Sequence, residues 1–255
     1  MTNTNQNELV ISHLTLRKAI GWLGMLLPFL LIIGNYIINQ VDILNNDFFV
    51  NTSCSCTYTA DGSYKTSISH YYYSTVGELF TGVLGSVALF MLCYNGHKLR
   101  EGEKGLSDKA LTSLAGIAAL GVIVFPTAAD DCISDTVRTF LSSQKTGYIH
   151  FGFAAVFFIS LALMCMVNFR RTEDRVSFGK KPDHNFYLFC GIAILTCIAL
   201  VPVYKFLIKG HFAWLDALHP IFILEALALF FFGISWLSKG QVDFYYVPKM
   251  LKLKR

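Results

Sequence analysis

Six runs of predominantly apolar residues, at 19–38, 76–94, 110–127, 148–169, 186–208 and 217–237, constrain this chain more than any other feature. A bilayer core takes roughly 20 apolar residues as a helix, because each residue rises about 1.5 Å. Inside hydrocarbon the backbone must satisfy its own hydrogen bonds, so runs of this length specify helices. Only 15% of the 255 residues are charged, well below the roughly one quarter of a soluble domain. The intervening segments are too short to bury a core of their own. The sequence therefore predicts an all-α integral membrane protein, a six-transmembrane-helix bundle forming a single membrane domain over 1–255. The first run is longer than a signal-peptide core and lacks a small-x-small cleavage pattern, so it reads as a retained span. The fifth carries Pro202 and Lys205 near one end, where a kink and a snorkelling lysine are both tolerated.

Lysine and arginine set the orientation. All but five of the 21 lie ahead of the first run, in segments 96–109 and 170–185, or behind the last run. The exceptions are Lys65, Arg138, Lys145, Lys205 and Lys209. By the positive-inside rule both termini are cytoplasmic, and the loops 39–75, 128–147 and 209–216 face outward. The formal charge of +4 follows from this asymmetry and implies no nucleic-acid partner. The basic, aromatic tail FYYVPKMLKLKR suits a surface of anionic headgroups. The membrane is read as a bacterial inner membrane, or an endomembrane in a eukaryote. Cys54, Cys56 and Cys132 fall in outward loops, where an oxidising compartment permits a bridge from Cys132 to Cys54 or Cys56. Asn51-Thr52-Ser53 fits a glycosylation sequon, relevant in a eukaryotic secretory route.

The polar groups gather at one side. His70, His150, His211 and His219 fall at outward ends of runs, together with Glu78, Asp130, Asp131, Asp216 and Glu225. Ionisable residues are costly in a membrane and usually face the bundle interior. If the second helix begins before Val76, steps of four place His70, Ser74 and Glu78 on one inward stripe. Gly82 and Gly85 lie close to that stripe, where small residues admit a neighbouring helix, as Ala115, Gly116, Ala119 and Gly121 do in the third run. Tyr71, Tyr72 and Tyr73 read as an interfacial aromatic belt. Glu225, set in ILEALALFFFG, needs a partner; His219, six residues earlier, lies on a different helix face. The candidate polar site is thus Ser69, His70, Ser74, Glu78, Asp131, His150 and Glu225.

No HExxH, GxSxG, P-loop or dinucleotide fingerprint occurs, and no cofactor is evident. The expected function is binding of a lipid or membrane partner through the outward layer, without a recognisable catalytic set. Partners are membrane lipids, with a protein partner or second copy also admitted. The alternative is a membrane-embedded lipid hydrolase or acyl-transfer enzyme. In it His70 and His150 act as bases or ligands, Glu78 or Asp131 orients them, and Ser69 binds or attacks substrate. Zinc would activate water there, with His70, His150 and His219 as candidate ligands. A solute or proton pathway is disfavoured, because the inner halves of the runs offer few ionisable residues.

The order of SISHYYYS, LAGIAALGVIVFPT, YIHFGFAAVFF and EALALFFFGISWLSKG resembles a six-span membrane family. That family includes the damage-regulated autophagy modulators, the post-GPI-attachment lipid-remodelling proteins and uncharacterised bacterial membrane proteins. The likeness spans about residues 19–239. Its Ile-Ser pair is matched by Ile68 and Ser69, with His70 where the family often has Asp; its span-opening histidine is matched by His150 and its last-span glutamate by Glu225. The resemblance implies a six-helix bundle and, in some members, a link to lipid-anchor remodelling or membrane stress. A more distant likeness is to seven-span, zinc-dependent lipid amidases. Those use an H-x-x-x-H pair, whereas His211 and His219 are eight apart and one span is absent.

Overall fold

The computed structural model describes residues 3–40, 64–96, 105–128, 143–171 and 184–240. Among them the regular structure is helical: α1 Asn3–Gln40, α2 Gly77–Cys93, α3 Asp108–Val124, α4 Ser143–Leu163, α5 His184–Val203 and α6 Pro220–Lys239. Asp131, Cys54, Cys56 and Cys132 lie outside the described residues, as do the sequon and the basic tail.

The helix ends follow from local chemistry. Ser107 caps α3 by accepting from the Ala110 amide at 3.1 Å, and Asp108 complements the positive end of the first turn. Pro220 opens α6, where its fixed φ suits a helix and its missing N–H costs nothing. Pro202 removes one donor from the α5 ladder, and the helix widens into a π turn at Tyr204–Ile208. α4 makes the same change at Met164–Asn168 before ending in Phe169–Arg171.

The helices form a closed ring in which each packs on its sequence neighbours and α6 returns to α1. Leu31, Phe80, Met91, Ala119, Leu161, Ile194 and Phe232 fill the interior. The outer faces remain apolar, with Phe29, Leu89, Ile117, Ile159, Phe189 and Phe230 exposed on successive helices. A water-facing surface would not carry an apolar belt on every helix, whereas hydrocarbon favours it.

Among the described residues, four segments are long and apolar enough to cross a membrane: Leu14–Ile38, Gln144–Asn168, His184–Ile208 and Pro220–Lys239. α2 and α3 have 17 residues each, about 25 Å of helix. Both stand in the ring between α1 and α4, which reach full length.

A close backbone approach joins the first helix to the last. A Cβ on Gly21 would sit 2.9 Å from the Gly233 carbonyl, and one on Gly233 would sit 2.7 Å from the Gly21 carbonyl. Glycine at both positions lets α1 and α6 touch main chain to main chain. Ala115, Gly116, Ala119 and Gly121 are buried, matching their expected packing role. Gly82 is not used this way: it is exposed, with nothing within 4 Å of a Cβ placed there. It lies on the outer face of α2.

Polar contacts tie the ring at the end bearing the α1 start and the α6 finish. Arg17 donates to the Tyr94 hydroxyl at 2.9 Å and to the Lys239 carbonyl at 3.2 Å. The buried Lys239 ammonium donates to the Phe169 carbonyl at 3.0 Å, and Asn168 donates to Asp108 at 2.8 Å. Charge and amide groups therefore do enter the bundle at this end, more than the sequence led one to expect.

Candidate functional site

At the other end, residues 65–73 fold over the mouth of the ring and close in a 3-10 helix at Ser69–Tyr73. This segment is pinned to α6. The Thr66 carbonyl accepts from the Phe222 amide at 3.2 Å, satisfying one of the donors that the first turn of α6 leaves open. Tyr64 and Tyr71 pack on the Phe222 ring, with centroids 4.6 and 6.0 Å away.

Glu225 lies one helical turn deeper. Its Oε2 accepts from the Ser67 hydroxyl at 2.8 Å and from the Ile68 amide at 2.7 Å, and its Oε1 accepts from Ser67 at 3.1 Å. The buried Ser67 hydroxyl in turn accepts from the Ser69 amide at 3.1 Å. A carboxylate so placed recovers part of what it loses in leaving water. Oε1 keeps spare acceptor capacity.

His150, buried near the start of α4, links a third element. Its Nδ1 lies 2.8 Å from the Phe125 carbonyl and its Nε2 lies 2.9 Å from Ser69 Oγ. A carbonyl only accepts, so Nδ1 carries the proton and Nε2 accepts from the Ser69 hydroxyl. This tautomer suits a general base toward a hydroxyl nucleophile. With both nitrogens engaged, His150 keeps no lone pair for a cation.

His70 is held beside it. Nδ1 is 2.8 Å from the Thr66 hydroxyl, and the ring also bonds the Ala128 backbone. Burial pushes the imidazole pKa down to about 4; His150, Lys205 and Lys209 act in the same direction, and the Ala128 bond opposes them. His70 is therefore neutral at ordinary pH. His219 stands apart at the α6 start with φ 50, its ring tilted against Tyr64 with centroids 5.3 Å apart. Among the described residues, no three His, Cys, Asp or Glu side chains gather as a metal site requires.

Two expectations are corrected. Glu78 does not turn inward, because the 3-10 helix ends at Tyr73, Ser74 is extended, and α2 starts only at Gly77. The four-residue periodicity is broken, and Glu78 is exposed in the first turn of α2, where its charge favours the helix N-terminus. Ser74 instead donates to the Tyr71 carbonyl at 2.7 Å, a local turn contact. The tyrosine run is not a surface belt either. Tyr71 is 0% exposed, and the buried Tyr73 donates to the Thr127 carbonyl at 2.6 Å.

Beside these contacts lies a cavity of about 410 Å³ between α4, α5 and α6. α4 contributes Gly147, Tyr148, Phe151, Ala154, Ala155 and Phe158, one face of the helix; α5 contributes Ile198, Val201 and Pro202, and the π turn that follows it Lys205 and Phe206. Glu225 reaches it from α6. The Lys205 ammonium sits 3.9 Å from the centre of the Phe151 ring, a cation–π contact. The volume falls in the range of small-molecule sites, with a few polar groups set in apolar walls.

The structure thus brings Ser69, His70, His150 and Glu225 to one end of the bundle and leaves Glu78 outside. It adds Ser67, Thr66 and Lys205. Ser67 carried a weak signal as the hydroxyl preceding the Ile-Ser pair. Comparison of the chain with protein-family models, curated proteins and solved structures finds no match.

Proposed function

We propose that this protein is a six-span membrane protein, with both termini in the cytoplasm, that binds a membrane lipid in the cavity between α4, α5 and α6. The carrying observation is that cavity: apolar walls holding one carboxylate and one ammonium, on an outer surface suited to hydrocarbon. The lysine and arginine distribution supports the orientation, in which the cavity lies in the outer half of the bilayer. The motif order shared with the six-span family is consistent with a role in membrane-lipid handling. A lipid reaching Glu225 from the bilayer need not cross water.

Retention of lipid by the purified full chain, read by native mass spectrometry in mild detergent, tests the reading. One bound lipid per chain is expected, and Ala155→Trp, which fills the cavity, should remove it. Equal retention by both proteins would place the lipid elsewhere.

The Ser69–His150 hydrogen bond favours a second reading, acyl transfer. Ser69 Oγ attacks an ester carbonyl, its proton passing to Nε2 and then to the departing alkoxide; water, deprotonated by the same nitrogen, releases the acid from Ser69. A serine-directed fluorophosphonate should then label the native protein and not Ser69→Ala. Absence of labelling alongside retained lipid would leave the binding reading alone.

A further inference from the structure

The cavity is lined by one basic and one acidic side chain, Lys205 and Glu225, that do not pair with each other. Lys205 meets the face of Phe151 at 3.9 Å, and among the described residues no carboxylate pairs with it. Glu225 takes its bonds from neutral donors, the Ser67 hydroxyl and the Ile68 amide. Both side chains line the same space, whose wall is otherwise mostly apolar, including Ala154, Phe158, Ile198 and Val201, with Gln144 and Tyr148 the neutral polar exceptions. In such surroundings an uncompensated charge is expensive, and an occupant that complements both is favoured over one that complements either alone.

The chemistry of the two groups selects among headgroups. Lys205 calls for an anion such as a phosphodiester. Glu225, with acceptor capacity left on Oε1, calls for an N–H or O–H donor, best a charged one. A trimethylammonium head has no N–H to give. A glycerol head brings the anion without a cation. A serine head adds a second carboxylate facing Glu225. A neutral diacyl lipid leaves both charges unmet. We propose that the cavity selects a phospholipid of the phosphoethanolamine type, its primary ammonium on Glu225, its phosphodiester on Lys205 and an acyl chain along Phe158 and Ile198. This rests on the lipid-binding reading above.

The test is competition on the purified full chain. Phosphatidylethanolamine, its N-mono-, di- and trimethyl derivatives and phosphatidylglycerol, all with the same acyl chains, are supplied in equal amounts, and retained lipid is weighed by native mass spectrometry. Preference for the primary ammonium over the trimethyl head should be about tenfold or more, because one charge-assisted hydrogen bond is at stake. The mono- and dimethyl heads, which still donate, should fall between. Glu225→Gln, whose amide oxygen still accepts from Ser67 and Ile68, should retain lipid but lose this ranking. Lys205→Met should weaken every phospholipid. Equal retention of the primary and trimethyl heads by the native protein would overturn the selection while leaving lipid binding intact. No retained lipid from any mixture would overturn lipid binding itself, and the selection with it. Displacement by soluble phosphoethanolamine as effective as by the lipid would show that the acyl chain contributes nothing, which would also overturn the proposal.

Discussion

Ser67 donates its hydroxyl to the Glu225 carboxylate at 2.8 Å, a contact between residues 158 apart in the chain. Through it the segment that closes the bundle mouth is anchored to the wall of the cavity. Ser67→Ala removes the donor to both carboxylate oxygens and leaves the Ile68 amide. A loss of about 1–3 kcal/mol of stability is expected, measured as a lower thermal midpoint in detergent. An unchanged midpoint would show that Glu225 is satisfied without Ser67.

The position of Glu225 inside the bundle is legible in the sequence because ILEALALFFFG leaves a carboxylate no inexpensive place except an interior. The helices are legible for a related reason, since hydrocarbon-length apolar runs admit little else. The partner of Glu225 is not legible. Ser67 reaches it through a chain reversal that no periodicity encodes. The expected stripe through His70, Ser74 and Glu78 fails for the same reason, because it presumes one helix where Ser74 breaks two. The cavity and the role of Lys205 depend on how α4, α5 and α6 pack, which composition does not specify. The 17-residue lengths of α2 and α3 are legible only in part, since the run at 110–127 is the shortest of the six.

His70 makes stability depend on pH in a definite direction. Its pKa in the fold is lowered from the ordinary 6.5 to about 4. Between those values the unfolded chain binds a proton that the folded protein refuses, so stability falls as pH drops from about 6.5 to about 4. Thr66 and the Ala128 backbone bond the ring, and His150, Lys205 and Lys209 oppose its protonation electrostatically. The expected loss across the window is up to about 3 kcal/mol. A His70→Gln protein should show a flatter dependence of thermal midpoint on pH; an identical slope would assign the effect to another group.

The α1–α6 contact admits no side chain at its centre. Gly21→Leu and Gly233→Leu should each separate the helices and cost several kcal/mol, seen as loss of monodisperse protein in size-exclusion chromatography. Gly82→Ala, on an open outer face, should leave elution and midpoint unchanged within about 0.5 kcal/mol. Equal tolerance at Gly21 and Gly82 would contradict the packing.

Orientation is open to direct measurement. A cysteine placed at Ser63 should react with a membrane-impermeant maleimide in intact cells, and one at Gly102 only after permeabilisation. The reverse order would invert the bundle and place the cavity in the inner leaflet.

The most direct test of lipid binding is photocross-linking with a phospholipid bearing a diazirine in its acyl chain, followed by peptide mapping. Labels should concentrate on Phe151, Phe158, Ile198 and Val201, which line the cavity, and should vanish in Ala155→Trp. Labels spread evenly over the outer faces of α1, α2 and α3, and unchanged by that substitution, would show that lipid surrounds this protein without entering it.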